Sequence, residues 1–255
     1  MSGSVVYETN NHIAVLRINR PEASNAINSE VMEGLSHALV QAEENDQVRV
    51  VILTGTGERS FVAGGDLKEF HEVLQTPNDV YEKWTDMRDI LYRIATFQKP
   101  VIAALNGAAR GGGGEVAAAC HFRVASTTAT VGFVQVKLGI TPGWGGAALL
   151  ARTIGYQKAL RLILTGRVLS AEEAERIGLV DEVAAKEAFW EKVWKFAEEI
   201  AGNSPLAVQS MLQMMRQARD LRLEEAMDLE SRLCASLWNS DIHQAAIEDF
   251  LNRKH

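Results

Sequence analysis

The chain has 255 residues, 47% of them hydrophobic and 23% charged, with a formal net charge of −7. That balance is ordinary for a globular chain with one sizeable core, or one core with an appendage. The negative charge argues against broad nucleic-acid or membrane-surface binding, and leaves room for a local basic pocket that takes a phosphorylated small molecule.

Cys120 and Cys234 are too few for a disulfide framework. No apolar run approaches the roughly 20 residues that span a bilayer. The first residues lack the basic stretch and apolar core of a signal peptide, so a cytoplasmic location is expected.

In chain order, residues 5–9 and 13–18 alternate in character across Asn10-Asn11-His12 and predict a hairpin. Ser29 is the expected N-cap of an amphipathic helix to about Asn45, with Val31, Leu35, Leu39 and Ala42 on one face. A strand is expected over 50–54, followed by Ala63-Gly64-Gly65-Asp66-Leu67. Thr76-Pro77 opens a second helix with a stripe of Val80, Trp84, Met87, Leu91 and Ile94.

Residues 101–105 form an apolar strand, Asn106-Gly107 a turn, and Gly111-Gly112-Gly113-Gly114-Glu115 a glycine loop that opens a helix. Short strands follow at 122–125 and 130–133. Ser170-Ala171-Glu172-Glu173 has the form of a capping box for a short helix ending near Gly178. From about Lys186 only helical periodicity remains, and Pro205 starts a helix whose apolar face carries Val208, Met211, Leu212 and Met215. Strands alternating with helices and then helices alone predict an α/β core with a helical C-terminal region. The expected division is 1–195 for the core and 196–255 for the helical region, with no linker between them.

The glycine loop carries the chemistry. Glycine permits close approach of backbone to a ligand, and the first N–H groups of a helix lack internal partners. Gly64-Gly65 repeats the arrangement at an earlier strand end. Two such loops can donate to one oxygen, as in an oxyanion hole, with Glu115 beside them to move a proton. The competing patterns are weaker. Gly112-x-Gly114-x-x-Ala117 has the letters of a dinucleotide loop, but no Asp or Glu lies between Glu115 and Glu172 to hold a ribose. No Gly-Lys-Ser/Thr follows either loop, so a P-loop is excluded. The six histidines show no metal-ligand spacing, and Ser126-Thr127-Thr128 lacks a nucleophile elbow. The tryptophans read as core or interface, except Trp144 in the glycine-rich Thr141-Pro142-Gly143-Trp144-Gly145-Gly146.

Several stretches resemble the enoyl-CoA hydratase/isomerase (crotonase) superfamily. They are Asn19-Arg20-Pro21-Glu22-Ala23-x-Asn25-Ala26-Ile27-Asn28, Phe61-x-Ala63-Gly64-Gly65-Asp66-Leu67-Lys68, Lys99-Pro100-Val101-Ile102-Ala103-Ala104-x-Asn106-Gly107 and Leu138-Gly139-x-x-Pro142-Gly143-x-Gly145-Gly146. Leu164-Thr165-Gly166 and Ala174-x-x-Ile177-Gly178-Leu179-Val180 continue the likeness over nearly the whole chain.

The resemblance implies a spiral of β-β-α units with a C-terminal helical trimerisation region, and a homotrimer or dimer of trimers. It implies an acyl-CoA thioester enzyme, most simply an enoyl-CoA hydratase of fatty-acid or related acyl-CoA metabolism, with no metal and no cofactor beyond the coenzyme A of the substrate. On that likeness the oxyanion hole falls on the amides of Gly65 and Gly112, and the catalytic carboxylate on Glu115. Coenzyme A contacts fall on Ala26, Ala63, Leu67 and Lys68, with Trp238 and Arg253 reaching in from a neighbouring subunit.

The departures bear on the reaction. Gln135 stands where hydratases of the family carry a second glutamate, and an amide can orient water but cannot exchange a proton. Gly143 stands where the dehalogenase and dienoyl isomerase branches are acidic, which disfavours both. His121 occupies a position that is Asp in many relatives. A single carboxylate also permits isomerisation or decarboxylation. The alternative of another class is a non-catalytic acyl-CoA-binding or RNA-binding protein of the same fold.

Overall fold

The computed structural model describes residues 3–238 and 240–252. The chain opens with the hairpin β1 (Val5–Asn10) and β2 (Ile13–Ile18), antiparallel from Val5↔Ile18 to Asn10↔Ile13. Asn11 and His12 make its turn with φ of 45° and 68°. Helix α1 (Ser29–Glu44) follows. Its cap is Asn28 rather than the expected Ser29, because the extended backbone ends at 28 and the Asn28 side chain accepts from Val31 N at 3.0 Å. The Ser29 amide instead donates to Glu69 Oε1 at 2.9 Å.

The next passes repeat one scheme. β3 (Val50–Gly55) and β4 (Ser60–Val62) lead to α2 (Leu67–Val73) and α3 (Pro77–Ala95). β5 (Val101–Leu105) and β6 (Ala108–Arg110) lead to α4 (Gly112–Ala119). β7 (Phe122–Ser126) and β8 (Thr130–Gly132) lead to α5 (Gly146–Ile154) and α6 (Tyr156–Thr165). β9 (Val168–Ser170), α7 (Ala171–Arg176) and β10 (Glu182–Ala184) complete the strands. Helices α8 (Phe189–Ala201), α9 (Pro205–Gln217), α10 (Leu223–Leu237) and α11 (Asp241–Asn252) end the described chain. The expected capping box forms between Ser170 and Glu173 on α7, and a second one, between Thr76 and Asp79, opens α3.

Each pass adds one strand to each of two sheets, ordered β1-β2-β3-β5-β7-β10 and β4-β6-β8-β9. This is the expected spiral of β-β-α units. β3 and β5 are buried at every residue, as parallel strands covered on both faces must be, which explains their unbroken apolar runs. The sequence pattern does not show β4, β6, β9 and β10, each of three residues, too few for alternation to stand out from a neighbouring turn or helix start; β8, equally short, is read from its longer run 130–133.

One core cluster fills the space between the sheets and α1, α3 and α4. A second lies on the other face of the larger sheet, where Phe189, Val193, Ala197 and Ala201 of α8 cover Ile13, Val15, Ile52, Ile102 and Val124. Residue 195, the expected end of the core, falls inside α8. No residue of α9, α10 or α11 is buried, so the face carrying Met211 and Met215 stands open in the single chain. No helix of the described residues is long and apolar enough to cross a membrane.

Candidate active site

The smaller sheet assembles the site. Its strands β4, β6 and β8 run parallel and adjacent, so their C-terminal ends lie side by side. Those ends release the segments carrying Gly64-Gly65, Gly111-Gly112 and Val134-Gln135 into one region. The first two loops touch: a Cβ on Gly64 would stand 3.1 Å from Arg110 O and 3.5 Å from Gly112 N. Gly64 also needs its freedom, since its φ is +113°.

Both loops present an unused donor. Ile27 bridges the first loop, donating to Gly64 O and accepting from Asp66 N, each at 2.8 Å. That parallel bridge turns the intervening Gly65 amide to the opposite side. Gly112 is the first residue of α4, and the amide of that position has no intrahelical acceptor. No carbonyl of the described residues accepts from either amide.

The Gly65 loop is fixed from behind. Asp66 caps α2 through the amides of Lys68 and Glu69 and pairs with Arg20 at 2.9 Å, while Arg20 also donates to Ala26 O at 2.8 Å. Burial pushes the Asp66 pKa up, but the Arg20 hydrogen bond and the two amides hold it below the ordinary carboxylate range.

Glu115 sits one turn into α4 and is only 2% exposed. Its Oε2 accepts from Trp144 N at 3.0 Å and Gly146 N at 2.8 Å, and its Oε1 accepts from Gln135 Nε2 at 2.8 Å. A Cβ on Gly146 would stand 2.2 Å from Glu115 Cγ, so only glycine admits this approach. Burial raises the Glu115 pKa above the ordinary carboxylate range, opposed by the amides of Gly146 and Trp144 and by Gln135. Oε2 is thus an anchored oxygen, whereas Oε1 meets a single side chain that can rotate. Gln135 donates to the carboxylate as it stands, and turning its amide would let it accept from the carboxylic acid. Its own Oε1 is buried without a partner among the described residues.

These groups line one cavity of about 100 Å³, together with Ala63, Leu67, Phe70, Trp84, Val134 and Trp144. Its wall is an aromatic series: Phe70 meets Trp84 edge-on at 5.1 Å, and Trp84 meets Trp144 edge-on at 5.9 Å. The six-membered ring of the Trp144 indole packs against the second loop, such that a Cβ on Gly112 would come 2.0 Å from its Cζ3. Two unengaged amides, a buried carboxylate of raised pKa and an apolar wall form a site for polarising a carbonyl and moving a proton beside it.

Comparison with known proteins agrees. Residues 8–255 match the enoyl-CoA hydratase/isomerase family. The chain belongs to this family. It is 35% identical over 251 residues to the short-chain-enoyl-CoA hydratase of Clostridium acetobutylicum, covering 98% of this chain and 95% of that one. It is 34% identical to the crotonyl-CoA hydratase of Syntrophomonas wolfei, covering 98% and 96%. The enoyl-CoA hydratase crystal structure from Bacillus anthracis superposes with a TM-score of 0.94 at 33% identity, covering 98% of this chain and 96% of the other. The fold is therefore the crotonase fold.

Within this family member, Glu115, Gln135, Gly65 and Gly112 all line this one cavity. Ala63 and Leu67 lie at its mouth, where Leu67 is 61% exposed, Lys68 is exposed beside them, and Ala26 is buried behind the loop. Trp238 does not reach this cavity within the chain. It lines a separate hollow of about 440 Å³ with Met211, Leu237 and His243, its ring 4.9 Å from that of His243. Arg253 lies outside the described residues. Of the other wall residues, Trp84 reads from sequence as part of a helical core stripe and Phe70 carries no pattern of its own; the glycine-rich setting of Trp144 is the one available signal.

His121 is a tie rather than a site residue. Its Nδ1 accepts from Val101 N at 3.0 Å, joining the turn between α4 and β7 to β5. Burial, with Arg123, Arg216 and Arg219 nearby, lowers its pKa to about 4, which keeps the ring neutral and Nδ1 free to accept. Among the described residues no His/Cys/Asp/Glu cluster could hold a metal ion.

Proposed function

We propose that this protein is an enoyl-CoA hydratase that adds water reversibly across the double bond of a short 2-enoyl-CoA. The carrying observation is the convergence of the Gly65 and Gly112 amides with Glu115 and its bonded Gln135 on one cavity. The thioester oxygen accepts from both amides, which stabilise the enolate-like charge; each such donor is worth about 3–4 kcal/mol in holes of this kind.

Glu115 Oε1 takes a proton from water as the water oxygen bonds to Cβ. The Cα=Cβ electron pair moves toward the thioester, and Glu115 then delivers the proton to Cα, so that one water is added and the carboxylate is regenerated. Gln135 steers the water through its unpaired oxygen and holds Oε1. Oε2 stays anchored on Trp144 and Gly146.

The coenzyme A portion rests at the mouth on Ala63 and Leu67, with Ala26 backing that loop and Lys68 offering its charge to a phosphate. The open apolar faces of α9–α11 support a homotrimer or dimer of trimers, in which Trp238 and Arg253 would meet a neighbour's coenzyme A. Only the thioester's own coenzyme A is called for as cofactor.

Isomerisation or decarboxylation is kept in view by one observation: among the described residues Glu115 is the only titratable side chain lining the cavity, and a single carboxylate permits either reaction. Turnover of crotonyl-CoA, β-enoyl and malonyl-type thioesters by wild type and Glu115→Gln decides between these activities. Hydration of crotonyl-CoA that depends on Glu115 supports the proposal, and turnover of another class alone overturns it.

A further inference from the structure

Trp144 lines two cavities. One is the cavity of about 100 Å³ that holds Glu115, and the other is a larger one of about 800 Å³ with an apolar side at Tyr92, Ala148 and Leu149 and a charged rim that includes Arg88, Arg216 and Asp220. We infer that the Trp144 indole is the partition between them and sets the acyl-chain length, so that the substrate is a short-chain acyl thioester. This rests on the acyl-CoA assignment above.

On the site side, the indole edge reaches both oxyanion glycines: a Cβ on Gly112 would be 2.0 Å from Cζ3, and one on Gly65 would be 3.4 Å from Cζ2. A thioester oxygen held by those two amides therefore has the ring immediately beside it. The ring is also held in place. It is 4% exposed, Trp84 meets it edge-on at 5.9 Å, and Phe70 stands behind Trp84 at 5.1 Å. Its backbone amide donates to Glu115 Oε2 at 3.0 Å, so the main chain cannot shift without loosening the carboxylate. Displacing a well-packed indole to admit methylenes costs contacts on every side. A short acyl group ends before the ring, and a long one meets it. Without the ring, a longer chain could pass onto the apolar side of the larger cavity at Tyr92, Ala148 and Leu149, away from its arginine-rich rim.

The test compares kcat/KM for crotonyl-CoA and trans-2-decenoyl-CoA in wild type, Trp144→Ala and Trp144→Phe. Wild type should favour crotonyl-CoA by at least about tenfold, and Trp144→Ala should shift that ratio toward decenoyl-CoA by at least about tenfold. Trp144→Phe keeps a ring and should retain the short-chain preference. Equal use of both thioesters by wild type, or an unchanged ratio in Trp144→Ala, overturns the inference. The wild-type comparison needs no substitution and decides even where Trp144→Ala is unstable. Calorimetry with butyryl-CoA and decanoyl-CoA, which carry no double bond, separates this inference from the hydratase assignment. Tight butyryl-CoA and weak decanoyl-CoA binding without any hydration would remove the activity and leave the partition standing.

Discussion

Gln135 donates Nε2 to Glu115 Oε1 at 2.8 Å, and both side chains are buried, at 7% and 2% exposure. A glutamate in place of Gln135 would bring two carboxyl groups into that same hydrogen-bonding distance, where both cannot ionise freely. The amide avoids this conflict and leaves Glu115 to accept and return the proton alone.

Glu115→Gln should lower kcat for crotonyl-CoA hydration by at least about a hundredfold while preserving the fold. The glutamine oxygen can accept from Trp144 and Gly146, and Gln135 can turn its amide to accept from the new NH₂. Because burial raises the Glu115 pKa in the folded state, wild type is penalised above that pKa and relieved as pH falls toward the unfolded value. The melting temperature of Glu115→Gln relative to wild type should therefore be highest at neutral pH and decline on acidification. A difference that grows at low pH would contradict the raised pKa.

Gln135→Glu should increase crotonyl-CoA hydration and add an ionisation to the pH–rate profile. One carboxyl of the pair takes a strongly raised pKa and serves as acid while the other serves as base, the two apparent values belonging to the pair. The pH dependence of kcat checks this. A profile superimposable on that of wild type would mean that residue 135 does not face the reacting atoms.

Gly112→Ala should cost about 10²–10³ in kcat, since its new methyl must displace the Trp144 ring or move the amide donor. Lys68→Ala, at an exposed position beside the mouth, should raise KM with little change in kcat, because a phosphate contact is the same in ground and transition states. Steady-state kinetics of both variants on one substrate make the comparison. Equal losses of kcat would refute the division of roles.

His121→Asn should make the protein less acid-sensitive. The wild-type pKa is about 4 when folded against 6.5 for the free group, so between those values the unfolded chain binds a proton that the folded chain refuses. Stability is lost as pH falls through that window. Asn can still accept from Val101 N and does not titrate. Thermal melts from neutral pH down to about 4 should show wild type falling away from the variant, and parallel curves would remove His121 as a cause.

Much of this site is legible in residue order. The glycine loops stand at strand ends, Glu115 follows the second one within a helical turn, and a resemblance spread over the chain names their chemistry. Local spacing carries these features, because a strand, a turn and a helix start are each written in a few consecutive residues. The short strands β4 and β6 carry no such signal, yet their parallel pairing with each other and with β8 brings Gly65, Gly112 and Gln135 together. Backbone donors leave no side-chain mark, so nothing in the residue order pairs the amides of Trp144 and Gly146 with Glu115; the path of the 143–146 loop does. The same holds for the Trp144 ring, which meets Gly112 across 32 positions of sequence. Residue type and order determine which groups can react; long-range packing alone decides which of their atoms are anchored, which are free, and how much room is left between them.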